Sequence, residues 1–143
     1  MEGSDDELIG LRDRAAARRL VMHWRAHRHA PAPGSLLCRL DAVPQGACKE
    51  LRYGEGDASF SLLLYRRDTE VRAYVNSCPH FSLPLNARAN EFLLCGEGLI
   101  MCAYHSAVFR LVDGRCVEGL TRGEGLEPVP VRLVGNEIFM ADV

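Results

Sequence analysis

The chain has 143 residues, 48% of them hydrophobic, a size and composition that suit one globular domain with a single core. Its formal net charge of −2 supplies no basic field for nucleic acid or an anionic membrane surface, and no run of about eighteen apolar residues offers a membrane span. The start, MEGSDDE, is acidic where a signal or transit peptide is basic, so a cytoplasmic protein is expected.

Ser4 and Glu7 have the spacing of a capping box, and Leu8, Leu11, Ala15, Leu20 and Trp24 follow at intervals that place them near one helical face. A helix of about twenty residues is predicted, ending before HAPAPG, whose Pro/Gly tract over 29–34 reads as a linker. Residues 1–34 are therefore expected to be an extension, strapped on or mobile, or else a helix that docks a partner or dimerises. On so basic a stretch His23, His27 and His29 read as solvated side chains rather than ligands.

From Ser35 the texture changes to short apolar runs: SLLCRL, FSLLLY, VRAYV, FLLCG, LIMC, VFRLV, VPVRL and EIFMA. Between them stand turn signals such as PQG, GEGD, DG, GEG and GN. This spacing predicts an all-β, antiparallel sandwich or barrel over 35–143 without crossover helices.

The chain has six cysteines. Without an export signal, metal binding or burial accounts for cysteine better than a disulfide framework does. Cys38, Cys48, Cys95 and Cys116 read as small buried hydrophobes, because free cysteine behaves as one in apolar runs. The other two stand in NSCPHFSLPLN, residues 76–86, and CAYHSAVF, residues 102–109, each with a histidine close behind. Both stretches fall where a strand runs out into a loop, so two loop tips can bring two sulfurs and two imidazoles together. Zinc accepts such a set tetrahedrally, although its finger spacing groups like ligands. A [2Fe–2S] cluster with two thiolates on one iron and two imidazoles on the other takes one of each from each loop.

The motifs CPH at 78–80 and CAYH at 102–105 resemble the CxH and CxxH of Rieske proteins. CAYHSAVFRLVDGRCVEG and LEPVPVRLVGNEIFM resemble the continuation of Rieske-type ferredoxins, and the likeness reaches back through LCRLDAVPQGACKEL. It implies a Rieske-type β-sandwich or barrel with a cluster-binding loop subdomain at about 76–120, ligated by Cys78 and Cys102 on one iron and His80 and His105 on the other. It also implies docking of redox partners at the loop tips, around Pro79, His80, Tyr104 and His105, with Phe81 and Leu83 at the rim. Several positions depart from the family pattern. Ser106 replaces a glycine, Leu120 stands where a proline covers the cluster, and residues 81–101 form a longer intervening segment. Leu83 and Tyr104 occupy the positions of two loop-linking cysteines in respiratory members. Ala107 and Phe109 stand where high-potential members carry a serine and a tyrosine that donate hydrogen bonds toward the cluster sulfurs. With fewer donors the reduced cluster is less stabilised, so the resemblance implies a potential near the low end of the range, roughly −150 mV rather than +300 mV.

The expected function is that of a one-electron carrier, a ferredoxin between a reductase and an oxygenase or similar oxidoreductase. Two alternatives stay open: a small non-catalytic Rieske subunit of a larger oxidoreductase, as in nitrite reductase, and a zinc-stabilised interaction module. At 143 residues the chain is not expected to hold the two-histidine, one-carboxylate iron site of a terminal oxygenase as well. Since the expected ligands lie beyond the linker, removing residues 1–34 is expected to leave the cluster in place.

Overall fold

A computed structural model describes residues 24–79, 83–104, 107–119 and 124–141. Among these residues ten strands follow one another: β1 Leu36–Arg39, β2 Cys48–Tyr53, β3 Phe60–Arg67, β4 Glu70–Val75, β5 Leu93–Gly96, β6 Leu99–Met101, β7 Val108–Arg110, β8 Cys116–Glu118, β9 Val131–Val134 and β10 Glu137–Met140. They form three antiparallel sheets, ordered β1-β10-β9, β2-β3-β4 and β5-β6-β7-β8. The expected all-β antiparallel architecture is what the chain adopts. Among the described residues, helical backbone is confined to short 3-10 turns, and no helix is long and apolar enough to cross a membrane.

The central strand β3 shows why the core sits where it does. Its FSLLLY run is flanked by β2 and β4, which satisfy both edges of its backbone, and Leu62, Leu63, Leu64 and Tyr65 are buried on both faces. Leu63 and Tyr65 join a buried cluster with Cys78, Cys102, Phe109 and Cys116, whereas Leu62 and Leu64 join a second one with Trp24, Val43, Ile138 and Met140. The strand alternation thus serves two cores, one beneath the cysteine loops and one against the β1-β10-β9 sheet.

Two strands were absent from the pattern of apolar runs. β2, CKELRY, carries three charged residues and β8, CVE, is only three residues long. Each is held mainly by pairing with a more apolar neighbour, β2 with β3 and β8 with β7.

Residues 24–34, the described part of the segment before Ser35, pack against the rest of the fold. Residues 1–23, with most of the expected helix and its docking role, lie outside the described residues. Its end is a single 3-10 turn, Trp24–Ala26, and Trp24 is only 3% exposed within the second core. The Trp24 amide donates to Glu127 Oε2 at 3.1 Å, the His27 ring lies 5.3 Å from that of Phe60, and the Gly34 amide donates to the Met140 carbonyl at 2.9 Å. His27 and His29 are half-buried rather than solvated. The cause is the large apolar area of Trp24, which packs against the sheet and draws the neighbouring turn down with it.

Burial also corrects one cysteine. Cys116 is buried and Cys38 and Cys48 are half-buried, but Cys95 is exposed. It lies on β5, the edge strand of its sheet, whose residues are exposed throughout, so an apolar run there faces solvent.

Candidate metal centre

Strand β4 ends at Val75 and delivers the first cysteine loop, and β6 ends at Met101 and delivers the second. The two loops close in the same way. The Cys78 amide donates to the Leu83 carbonyl at 2.7 Å, and the Cys102 amide donates to the Ala107 carbonyl at 2.8 Å. Each cysteine amide is therefore bonded to the carbonyl five residues later in the chain. A further bond joins the loops, from the Ala103 amide to the Leu85 carbonyl at 2.8 Å. Both cysteines belong to one buried cluster, at 0% and 1% exposure.

The first loop is fastened by polar side chains rather than apolar packing alone. Asn76 accepts from the Leu85 amide through Oδ1 at 3.0 Å, and its Nδ2 donates to Asn86 Oδ1 at 2.7 Å and to Ser61 Oγ at 3.0 Å. Asn86 in turn donates to Glu50 Oε1 on β2 at 2.9 Å. Both asparagines are buried, and the bonds satisfy polar atoms that would otherwise be costly to bury. Beneath the second loop, Gly119, just after β8, packs with its Cα region against Ala107 at the base of that loop.

The residues singled out from sequence divide cleanly. Ala107 and Phe109 are fully buried in the same cluster as the two cysteines. Pro79 is half-buried, while Leu83 is 41% and Tyr104 51% exposed, an arrangement of apolar and amphipathic groups facing solvent beside the loops. His80, Phe81, His105, Ser106 and Leu120 lie outside the described residues. Asn76, Asn86, Glu50 and Gly119 were not singled out. The signal for the asparagines was weak but present, since one stands just before CPH and the other just after its loop.

Two buried thiols on facing loops are soft donors suited to iron or zinc, and a carboxylate- or carbonyl-binding ion does not match them. Among the described residues no group of three or more His, Cys, Asp or Glu is gathered to hold a metal. The donor chemistry fits a thiolate-held metal centre in a small antiparallel β-scaffold, the class to which iron–sulfur electron-transfer domains belong.

Comparison with known proteins makes the class specific: a family model for the Rieske [2Fe-2S] domain matches residues 35–131, and the chain belongs to that family. The family's cofactor is a [2Fe–2S] cluster. Among solved structures, the terminal oxygenase of carbazole 1,9a-dioxygenase from Nocardioides aromaticivorans IC177 is similar, with a TM-score of 0.63 and 22% identity over 87% of this chain and 33% of that one. The ferredoxin of carbazole 1,9a-dioxygenase from the same organism is similar too, with a TM-score of 0.58 and 21% identity over 77% of this chain and 98% of that one. A chain from the reduced complex between oxygenase and ferredoxin in carbazole 1,9a-dioxygenase gives a TM-score of 0.63 and 19% identity over 89% of this chain and 33% of that one. At these identities the likeness is one of fold, and this chain spans about a third of the oxygenase chains it matches. The curated proteins contain no match.

Proposed function

We propose that the protein is a one-electron carrier whose Rieske [2Fe–2S] cluster is held by Cys78 and Cys102 on one iron and by His80 and His105 on the other. The observation that carries the reading is the pair of equivalent loops, each closed by its cysteine amide and joined to the other through Ala103 and Leu85. When bound, the cluster supplies single-electron transfer. The chain's own part is to keep both thiolates away from water, to set their hydrogen-bonding environment and to leave one edge of the site open. Ala107 and Phe109, buried in the same cluster as the cysteines, carry no hydroxyl of their own, which supports a potential at the low end of the family range, roughly −150 mV.

Exposed Leu83 and Tyr104, with Pro79 beside them, would form a small docking patch together with His80, Phe81 and His105, suited to a partner that must leave again. The partners fitting this role are a reductase and an oxygenase or similar oxidoreductase in the cytoplasm. The folded unit would begin by Trp24 rather than at Ser35, because Trp24 is part of the second core. A second reading, a Rieske module working within a larger oxidoreductase, is favoured by the longer stretch shared with the oxygenase chain, 87% against 77% for the ferredoxin.

Substituting Cys78→Ser and Cys102→Ser singly tests the ligand assignment, since a hard alkoxide poorly replaces a soft thiolate on iron. Each variant should lose visible absorption and acid-labile sulfide. Full colour and sulfide in either would overturn the assignment of that cysteine.

A further inference from the structure

Glu50 is an unusual resident of a strand that faces the cysteine loops, because its carboxylate side chain is only 5% exposed. Oε1 accepts from Asn86 Nδ2 and from the Asn90 amide, both at 2.9 Å, and Oε2 accepts from Ser61 Oγ at 2.7 Å. Asn90 returns the contact, accepting from the Glu50 amide at 2.8 Å. From Asn86 the network passes to Asn76, from Asn76 to the Leu85 amide, and from the Leu85 carbonyl to Ala103 in the second loop. One carboxylate thus stands at the root of a hydrogen-bonded path that reaches both loops. Burial alone would raise its pKa. Hydrogen bonds from Ser61, Asn90 and Asn86 and the charge of Arg52 outweigh that and leave it lowered, so the group is ionised at neutral pH. Arg52 lies 3.9 Å away on the exposed side and neutralises the charge only in part.

We propose that Glu50 is a positioning residue for the two cysteine loops and that its buried negative charge holds down the reduction potential of the cluster. The inference rests on the cluster-binding role proposed above for Cys78 and Cys102. A fixed negative charge in a poorly polarisable interior disfavours an added electron nearby, and salt screens it far less than a surface charge. The path of amides is also short of slack: Asn76 and Asn86 are buried and each spends its carbonyl and amide on named partners.

Film voltammetry of the cluster-loaded protein tests this with wild type, Glu50→Gln and Glu50→Asp at low and high salt. Glutamine keeps the length and an acceptor for Asn86 and Asn90 but removes the charge. It should retain the visible spectrum and move the potential positive, with the shift persisting at high salt. Aspartate keeps the charge and shortens the reach. Its potential should stay nearer wild type, while its cluster bleaches faster under a chelator. An unchanged potential in a cluster-loaded Glu50→Gln protein would overturn the proposal, as would equal shifts in both variants. So would a Glu50→Gln protein without a cluster beside a loaded Glu50→Asp protein, since the charge would then serve folding alone. Wild type lacking iron and sulfide would instead remove the functional reading, and this inference with it.

Discussion

Replacing Gly119 by alanine should damage the second cysteine loop from beneath. Gly119 has φ of +105°, a conformation that an L side chain rarely adopts, and an added Cβ would lie 2.8 Å from Ala107 Cα and 3.1 Å from Ala107 Cβ. Backbone strain of this kind costs about 1–3 kcal/mol. Overpacking against a buried backbone costs about 1–3 kcal/mol more. The sum, about 2–6 kcal/mol, is a large part of the roughly 5–15 kcal/mol that stabilises a typical domain. Ala107 is fully buried and its carbonyl holds the Cys102 amide, so the neighbour cannot yield without shifting the cysteine. Gly46→Ala is the matched control, because Gly46 has φ of +72° but nothing within 4 Å of its added Cβ. Denaturant unfolding followed by far-UV circular dichroism, with chelator-driven bleaching on the same samples, should show Gly119→Ala as the less stable protein and the faster to lose its cluster. Equal stability and equal bleaching in the two variants would refute the claim that Gly119 supports the loop.

Trp24→Ala should cost about 3–5 kcal/mol, the usual effect of emptying a large aromatic site in a core. Removal of residues 1–23 should be tolerated far better than removal of 1–34, and thermal melts of the three proteins would contradict this if all matched wild type. Acid should destabilise the fold through Glu50. A carboxyl held below its ordinary value of 4.5 contributes stability above that value, and the contribution is lost as pH falls through the lower folded value. Denaturant midpoints measured downward from pH 6 should therefore fall less steeply in Glu50→Gln, and identical slopes would count against the carboxylate's role. Ala107→Ser with Phe109→Tyr should raise the reduction potential by placing donors beside the cysteines, and a folded, cluster-loaded double variant with no positive shift would contradict that.

The strands that announced themselves were those burying a continuous apolar run or alternating cleanly, such as FSLLLY and EIFMA. CKELRY did not, because a strand that pairs along one edge of a buried neighbour is free to carry charge, and here one of its charges, Glu50, turns inward. Cys95 misled for the opposite reason: an apolar run on an edge strand looks like core until its sheet position is known. Trp24 was legible as an apolar helix position but not as the anchor of residues 24–34, since the core cluster it joins draws on residues far along the chain such as Val129, Ile138 and Met140. At the site, two cysteine–histidine pairs were visible as motifs because their spacing is local. The common closure of the two loops was not, nor was the reach of the Asn76–Asn86 path to Glu50, because Glu50 meets Asn86 across 36 residues of chain.

Iron and acid-labile sulfide analysis of freshly purified protein, combined with its visible spectrum before and after dithionite, tests the central claim most directly. The account predicts iron and sulfide in equal amounts, as the [2Fe–2S] formula requires, with colour that bleaches partly on reduction and returns on oxidation. A colourless protein that carries zinc and no sulfide would contradict it.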